Sequence, residues 1–111
     1  MERQLNKLLH DIHQSILSIE SFVGEKKMFQ QYQDNKLVKR AVERELEIIG
    51  EAMNRILTIE PNISITEPRR IVNFRNRIAH GYDSVDDAMV WGIIINHIPK
   101  LKLEVSVLLN T

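Results

Sequence analysis

Cysteine is absent from the 111 residues of the chain. This absence excludes disulfide bonds, thiolate catalysis and zinc sites built on cysteine, and it fits a reducing compartment. No signal-peptide pattern is visible at the N-terminus. The longest apolar run, residues 88–95, is far shorter than the roughly 20 residues that span a bilayer. We therefore expect a cytoplasmic protein that has no membrane association.

An excess of charge of one sign is also missing. Fifteen Lys and Arg residues balance fifteen Asp and Glu residues. Proteins that bind long nucleic acids through many phosphates usually carry a basic excess, so any nucleic-acid contact here is expected to be local. The hydrophobic fraction of 43% and the charged fraction of 27% are ordinary for a folded protein. The length predicts a single domain over residues 1–111.

Glycine and proline are scarce, with four and three residues, and several of them mark the ends of amphipathic helical segments. The first segment has apolar residues at steps of three and four, and it ends at Gly24. The second begins at a cap supplied by Asp34 or Asn35 and must end before Pro61. A third segment begins near Pro68.

The third segment runs to His80 and ends at Gly81, and a fourth carries an apolar stripe to the C-terminus. The spacing of Ser84 and Asp87 is that of a capping box at the start of the fourth helix. Pro99 lies inside this helix and predicts a kink or a break. Short connections between four amphipathic helices favour an all-α, up-and-down four-helix bundle with a kinked C-terminal helix.

Residues 89–95 are apolar on every side of their helix, which is typical of a helix that is buried all round. In a small bundle, part of this surface would otherwise face water. A symmetric homodimer would cover it. The alternative is that the connector between the first two helices covers it with Phe29 and Tyr32. We expect the homodimer.

Residues 69–82 form the densest polar cluster, with four arginines, two asparagines and one histidine. Helical spacing places a set of polar residues on one face: Asn73, Asn76, Arg77 and His80. Arg75 falls on the apolar side, about 140° from His80. The two side chains can therefore share one site only if the last turn unwinds or if a second copy contributes one of them. This is a second reason to expect a homodimer, with a composite site.

Phosphate chemistry is the functional interpretation of this cluster. Guanidinium groups bind phosphate in a planar fork, and a histidine with a pKa near 6.5 can move protons at neutral pH. Because RNA supplies its own nucleophile, the 2′-hydroxyl, such a site could cleave it without a metal ion. The alternative is a solvated basic helix face with a histidine stabilised by the helix dipole. The residues alone leave both interpretations open.

The run Arg75-Asn76-Arg77-Ile78-Ala79-His80-Gly81-Tyr82 resembles the Arg-x4-His-x-Tyr signature of HEPN-domain ribonuclease toxins of the HepT type. Residues 40–52 and 81–101 resemble the second and C-terminal helices of that family. The resemblance implies a four-helix HEPN fold, a homodimer with the motif helices at its interface, and RNA cleavage without metal or cofactor. In the implied roles, Arg75 polarises the scissile phosphate and His80 is the general acid and base. Asn76 and Arg77 bind phosphate or ribose.

The resemblance also implies a protein partner, a minimal nucleotidyltransferase antitoxin that attaches AMP to a tyrosine of the motif. In some members this tyrosine lies inside the x4 stretch. Residues 76–79 contain none here, so Tyr82 is the candidate for AMPylation. Tyr82 could also be a helix-end residue that packs its ring and leaves its hydroxyl in water. The two interpretations are compatible.

Other polar residues also require an explanation. Glu45 interrupts an apolar stripe and should need a partner, for which Arg75 is one candidate. His10 and His13 have a spacing compatible with metal binding, but no third ligand is identifiable, so we expect surface histidines and no metal site. His97 either reaches the same interface as the arginine motif or, as we expect, has a capping or packing role.

Three classes of function remain open. The leading one is a toxin ribonuclease that is inhibited by its nucleotidyltransferase partner. The second is a non-catalytic HEPN module that binds a nucleotide or docks on a nucleotidyltransferase through the same residues. The third is a helical dimerisation adaptor in which the basic cluster is incidental.

Overall fold

The computed structural model describes residues 2–81 and 86–110, without the side chain of His80. These residues form six α-helices and no strand, which confirms the all-α fold. The helices are α1 (Arg3–Val23), α2 (Phe29–Gln33), α3 (Lys36–Ile59), α4 (Pro68–Gly81), α5 (Asp87–Asn96) and α6 (Ile98–Leu109). None of the helices in these ranges combines the length and the apolar content that a membrane span needs.

The ends of the long helices follow from local sequence. α1 begins where the Glu2 carboxylate accepts hydrogen bonds from two backbone amides, and it ends at Gly24 with φ 82°. α3 begins where the Asn35 side chain accepts a hydrogen bond from the amide of Val38 at 3.1 Å. It ends two residues before Pro61. The predicted ends of both helices are therefore confirmed.

The C-terminal helix is broken into α5 and α6, with His97 between them. Pro99 lies in the first turn of α6, where its missing amide hydrogen leaves no hydrogen bond unmade, so the predicted break is confirmed. The predicted cap at Ser84 is wrong, and Ser84 itself lies outside the described residues. α5 starts later, where the Asp86 carboxylate accepts a hydrogen bond from the amide of Ala88 at 2.8 Å. A carboxylate at this position caps the helix and also interacts favourably with its dipole.

α1, α3, α4 and α6 pack around a shared core. α3 contacts α1 on one side and α4 on the other, and α1 also packs against α6. α4 also meets the α5–α6 junction through Phe74 and His97, whose ring centroids are 5.2 Å apart. The largest fully buried side chains come from α1, α3, α5 and α6: Leu9, Ile12, Ile16, Ile19, Val42, Ile49, Met53, Ile56, Val90 and Val105.

The short helix α2 covers part of the apolar α5. The rings of Phe29 and Tyr32 lie 5.7 and 5.3 Å from the ring of Trp91, measured between centroids. The connector between the first two long helices thus covers part of this surface, as the alternative to a dimer interface predicted. Ile95, on the same helix, keeps 37% of its surface exposed. The homodimer remains a prediction.

Candidate active site

The candidate site begins at the crossing of α3 and α4, where Gly50 meets Arg75. A Cβ atom at Gly50 would overlap the Cβ of Arg75 and would lie 2.9 Å from its Cγ. Glycine is therefore needed for this approach of the two helices. It lets the aliphatic part of Arg75 lie directly on the surface of α3. This explains how an arginine on the apolar side of α4 still brings its guanidinium group to the protein surface.

The Arg75 guanidinium group is held by two neighbours. Its Nη2 donates a hydrogen bond to Oε1 of Glu51 at 3.3 Å, and its Nη1 donates to Oδ1 of Asn76 at 3.3 Å. The Arg75 side chain is 31% exposed and that of Glu51 is 50% exposed. An ion pair this exposed contributes about 0–1 kcal/mol, so it orients Arg75 more than it stabilises the fold.

The predicted pairing of Arg75 with Glu45 is wrong. α4 crosses α3 at Gly50, so the carboxylate within reach of Arg75 is that of the adjacent Glu51. Glu45 lies five residues before the crossing, about 7.5 Å away along the helix axis. It is partly buried on α3. The sequence pattern showed that a carboxylate was near the motif helix, but not which one.

An open cleft of about 270 Å³ lies around the Arg75 guanidinium group, between α3 and α4. Its walls are formed by Gly50, Glu51, Asn54, Arg55, Val72, Arg75 and Asn76. The cleft thus contains two guanidinium groups, two amides and one carboxylate. Sequence reasoning missed Arg55 and Asn54. The only available signal was the helical spacing that places Arg55 one turn after Glu51.

The outer face of α4 carries the two predicted phosphate-binding residues, Asn76 and Arg77. Asn73, Asn76 and Arg77 are all exposed, as the helical spacing predicts. Asn76 reaches the cleft and contacts Arg75, whereas Arg77 does not line the cleft. The structure therefore brings Arg75 and Asn76 together and leaves Arg77 on the neighbouring surface.

The predicted general acid and base, His80, lies in the last turn of α4, and its side chain is outside the described part of the structure. Tyr82, the candidate for AMPylation, is also outside the described residues. α4 remains helical through Gly81, so the unwinding that would bring Arg75 and His80 to one side does not occur within it. The two helical positions are about 140° apart.

A second cleft, of about 220 Å³, lies between α4 and the α5–α6 junction. His97 lines it, with its ring against Phe74, so the structure shows the packing role that we expected for His97. Burial lowers the pKa of His97, and the positive charge of Arg70 lowers it further, whereas the negative charge of Glu67 raises it. His97 does not line the cleft that contains Arg75.

The two N-terminal histidines lie on α1, where His10 is exposed and His13 is partly buried. Within residues 2–81 and 86–110, described side chains of His, Cys, Asp and Glu form no group of three or more that could hold a metal ion.

A family model described as "Ribonuclease HepT-like" matches residues 12–108, which is most of the chain. The chain belongs to the HepT-like ribonuclease family. This membership confirms the resemblance that was predicted from residues 75–82 and the segments around them. No solved structure shows a significant match to this HepT-like chain.

Archaeal proteins with ribonuclease names are similar to this HepT-like chain over most of their length. A proposed RNase of Methanocaldococcus jannaschii is 32% identical over 96% of this chain and 97% of its own. The probable ribonuclease HepT of Thermococcus cleftensis is 34% identical, over 92% of this chain and 93% of its own. A second proposed RNase of M. jannaschii is 30% identical, over 93% of this chain and 85% of its own.

Proposed function

We propose that this HepT-like chain is a metal-independent endoribonuclease and the toxin of a toxin–antitoxin pair. The observation that carries the proposal is the Arg75 guanidinium group, which Glu51 and Asn76 hold at an open cleft. Arg75 lies on the helix that carries His80 five residues later, in a chain of the HepT-like ribonuclease family. The ribonuclease names of the relatives support the choice of RNA as the substrate.

In the proposed mechanism, the 2′-hydroxyl of one ribose attacks the adjacent phosphorus and the 5′-oxygen of the next nucleotide leaves. Arg75 binds the scissile phosphate and stabilises the charge that develops on it. His80 removes the proton from the 2′-hydroxyl as general base, and as general acid it protonates the leaving oxygen. The products are a 2′,3′-cyclic phosphate and a 5′-hydroxyl. Asn76 and Arg77 bind neighbouring phosphate or ribose groups.

The proposed site is composite, because the helical positions of Arg75 and His80 point about 140° apart on one α4. In a homodimer that packs α4 against its copy, Arg75 of one subunit would face the partner subunit's His80. Two observations support this arrangement. α4 remains helical through Gly81, and its outer face carries exposed polar residues such as Asn73 and Arg77.

The proposed inhibitor is a minimal nucleotidyltransferase that transfers AMP from ATP to the hydroxyl of Tyr82 and releases pyrophosphate. The adduct would add a bulky anion beside the motif, where it would compete with the RNA phosphate for Arg75. An intact mass of the purified protein, recorded before any assay, detects such a modification.

Cleavage of total cellular RNA by the unmodified protein in EDTA tests the proposed activity. We expect cleavage by the wild type and a loss of about 100-fold or more in both Arg75→Ala and His80→Ala. Arg44→Ala, which removes an exposed arginine outside the cleft, is the control and should cleave normally. Cleavage that appears only after a divalent metal is added would contradict metal independence.

A non-catalytic nucleotide-binding module is the second candidate. The observation that favours it is the cleft itself, because guanidinium and amide groups hold a phosphate equally well without cleaving it. If the unmodified wild type binds nucleotides through Arg75 but cuts none of the RNA in EDTA or with metal, this candidate replaces the ribonuclease.

A further inference from the structure

Arg55 lines the same cleft as Arg75 but comes from the other helix, α3. A glutamate followed by an arginine four residues later is a favourable ion pair on a helix, and Glu51 and Arg55 have this spacing. The carboxylate of Glu51 instead accepts its hydrogen bond from Arg75 of α4. Among the described residues, Arg55 forms no ion pair. Its exposed guanidinium group is therefore not paired within the cleft.

The charge and size of the cleft suit part of a nucleic-acid strand. Arg55 and Arg75 contribute two positive charges, and Glu51 contributes one negative charge, so the cleft has a positive balance. Asn54 and Asn76 add amide groups that can donate hydrogen bonds to phosphate oxygens. Its volume of about 270 Å³ is just below the roughly 300–1,000 Å³ of sites that enclose a small molecule. The cleft has room for one nucleotide unit, with the rest of the strand outside.

We propose that Arg55, together with Asn54, forms a second phosphate-binding element, which holds the RNA phosphate next to the one that Arg75 binds. Arg55 follows Glu51, which accepts a hydrogen bond from the Arg75 guanidinium group, by about one turn of α3, or about 6 Å along its axis, and this offset suits successive phosphates better than a single one. The inference rests on the proposed function in taking RNA as the ligand. It adds a binding residue from α3 to a site otherwise built on α4.

Salt-dependent binding of a short single-stranded RNA that is 2′-O-methylated at every ribose tests this element. Such an RNA lacks the nucleophile, so binding is measured without cleavage. We expect Arg55→Ala to weaken binding roughly tenfold at low salt and to reduce the slope of log K against log salt by about 0.7. Arg55→Lys should keep the slope and lose part of the affinity, because lysine keeps the charge but lacks the planar fork.

Arg44→Ala is the matched control, since Arg44 is an exposed arginine on the same face of α3, about three turns from Arg55. It should bind with the wild-type affinity and slope. An unchanged slope in Arg55→Ala would overturn the inference. Equal losses in Arg44→Ala and Arg55→Ala would also overturn it, because they would indicate attraction by the whole basic surface.

Cleavage of the unmethylated RNA, measured in parallel, separates this inference from the proposed function. We expect Arg55→Ala to raise KM with little change in kcat, because Arg55 binds a phosphate that does not react. If the wild type binds the RNA but never cleaves it, and Arg55→Ala reduces the slope of log K against log salt, the ribonuclease proposal fails and the phosphate-binding element stands. If the wild type cleaves and Arg55→Ala matches it in KM and slope, the element fails and the ribonuclease proposal stands.

Discussion

At the scale of single residues, the surroundings of His97 link its protonation to folding. It lies in the cleft between α4 and the α5–α6 junction, which Arg70 and Glu67 line from one side and Lys100 and Glu104 from the other. Burial, followed by Arg70, lowers the pKa of His97, so the folded protein favours the neutral imidazole. At mildly acidic pH the unfolded chain therefore binds more protons than the folded chain, and the free energy of unfolding rises with pH.

His97→Phe should reduce the sensitivity of folding to acid. The contribution of neutral His97 to the free energy of unfolding is fully present above pH about 6.5, the ordinary pKa of histidine. It is lost as the pH falls through the lowered pKa of His97 in the folded state. Phenylalanine keeps an aromatic ring against Phe74 but does not titrate. In urea unfolding at pH 7.5 and pH 5.5, we expect the midpoint to fall less for this variant than for the wild type. His10→Gln, at an exposed position of α1, is the control, and equal falls in all three proteins would contradict the prediction.

At the scale of helices, two glycines within helical segments have opposite surroundings. A Cβ atom at Gly50 in α3 would overlap Arg75 of α4, whereas a Cβ atom at Gly92 in α5 would meet nothing within 4 Å. Gly50 thus sets the distance between the two helices that form the candidate site. Gly92 has no comparable neighbour, so an alanine there would add helix propensity without a steric penalty.

Gly50→Ala and Gly92→Ala should therefore change stability in opposite directions. At Gly50, overpacking of about 1–3 kcal/mol outweighs the roughly 1 kcal/mol that alanine adds to a helix interior, so the net loss is up to about 2 kcal/mol. The displaced Arg75 should also lower the rate of RNA cleavage. Gly92→Ala should gain up to about 1 kcal/mol and cleave normally. Urea unfolding and single-turnover cleavage measure both effects, and equal stabilities of the two variants would refute the role of Gly50.

At the scale of the whole molecule, the exposed outer face of α4 decides how a complete site can form. α4 packs against α3 and against the α5–α6 junction, and Asn73, Asn76 and Arg77 on its outer face are exposed. Arg75 and His80 occupy positions about 140° apart on this helix. One copy of the chain therefore supplies both motif residues, at positions on different sides of α4. A symmetric pair of subunits would bring Arg75 of each subunit to the partner subunit's His80.

A mixture of Arg75→Ala and His80→Ala proteins tests the composite site. Each mixed dimer would hold one site with both substitutions and one site with neither, so random exchange of subunits should restore about a quarter of the wild-type cleavage rate. Each variant alone should be inactive. A mixture as inactive as its components, despite a light-scattering mass near twice the chain mass of 13.0 kDa, would place both residues of a site in one subunit.

The sequence predicted the elements of the fold better than the contacts between them. Gly24, Pro61 and Pro99 act on the backbone next to them, so the ends of the helices could be inferred without knowing the packing. The partner of Arg75 depends instead on the point where α4 crosses α3. That point is set by Gly50, so Glu51 rather than Glu45 forms the pair.

The same reasoning explains the other differences between prediction and structure. Helical periodicity assigns a residue to a face of its own helix, but it does not identify the helix that this face meets. Arg55 therefore could not be joined to the candidate site before the crossing of α3 and α4 was known. At the start of α5 the capping-box spacing indicated Ser84, whereas the structure shows Asp86 as the cap of the helix.

The contact between Glu51 and Arg75 also bears on turnover. If Arg75 binds the RNA phosphate as we propose, the carboxylate of Glu51 occupies part of the position that a phosphate oxygen would take beside Arg75. Binding of RNA would then exchange one anion for another, and the released carboxylate, which is already 50% exposed, would return to water with little penalty. The reverse exchange would help to expel the product. A site of this kind favours rapid release of cut RNA over tight retention.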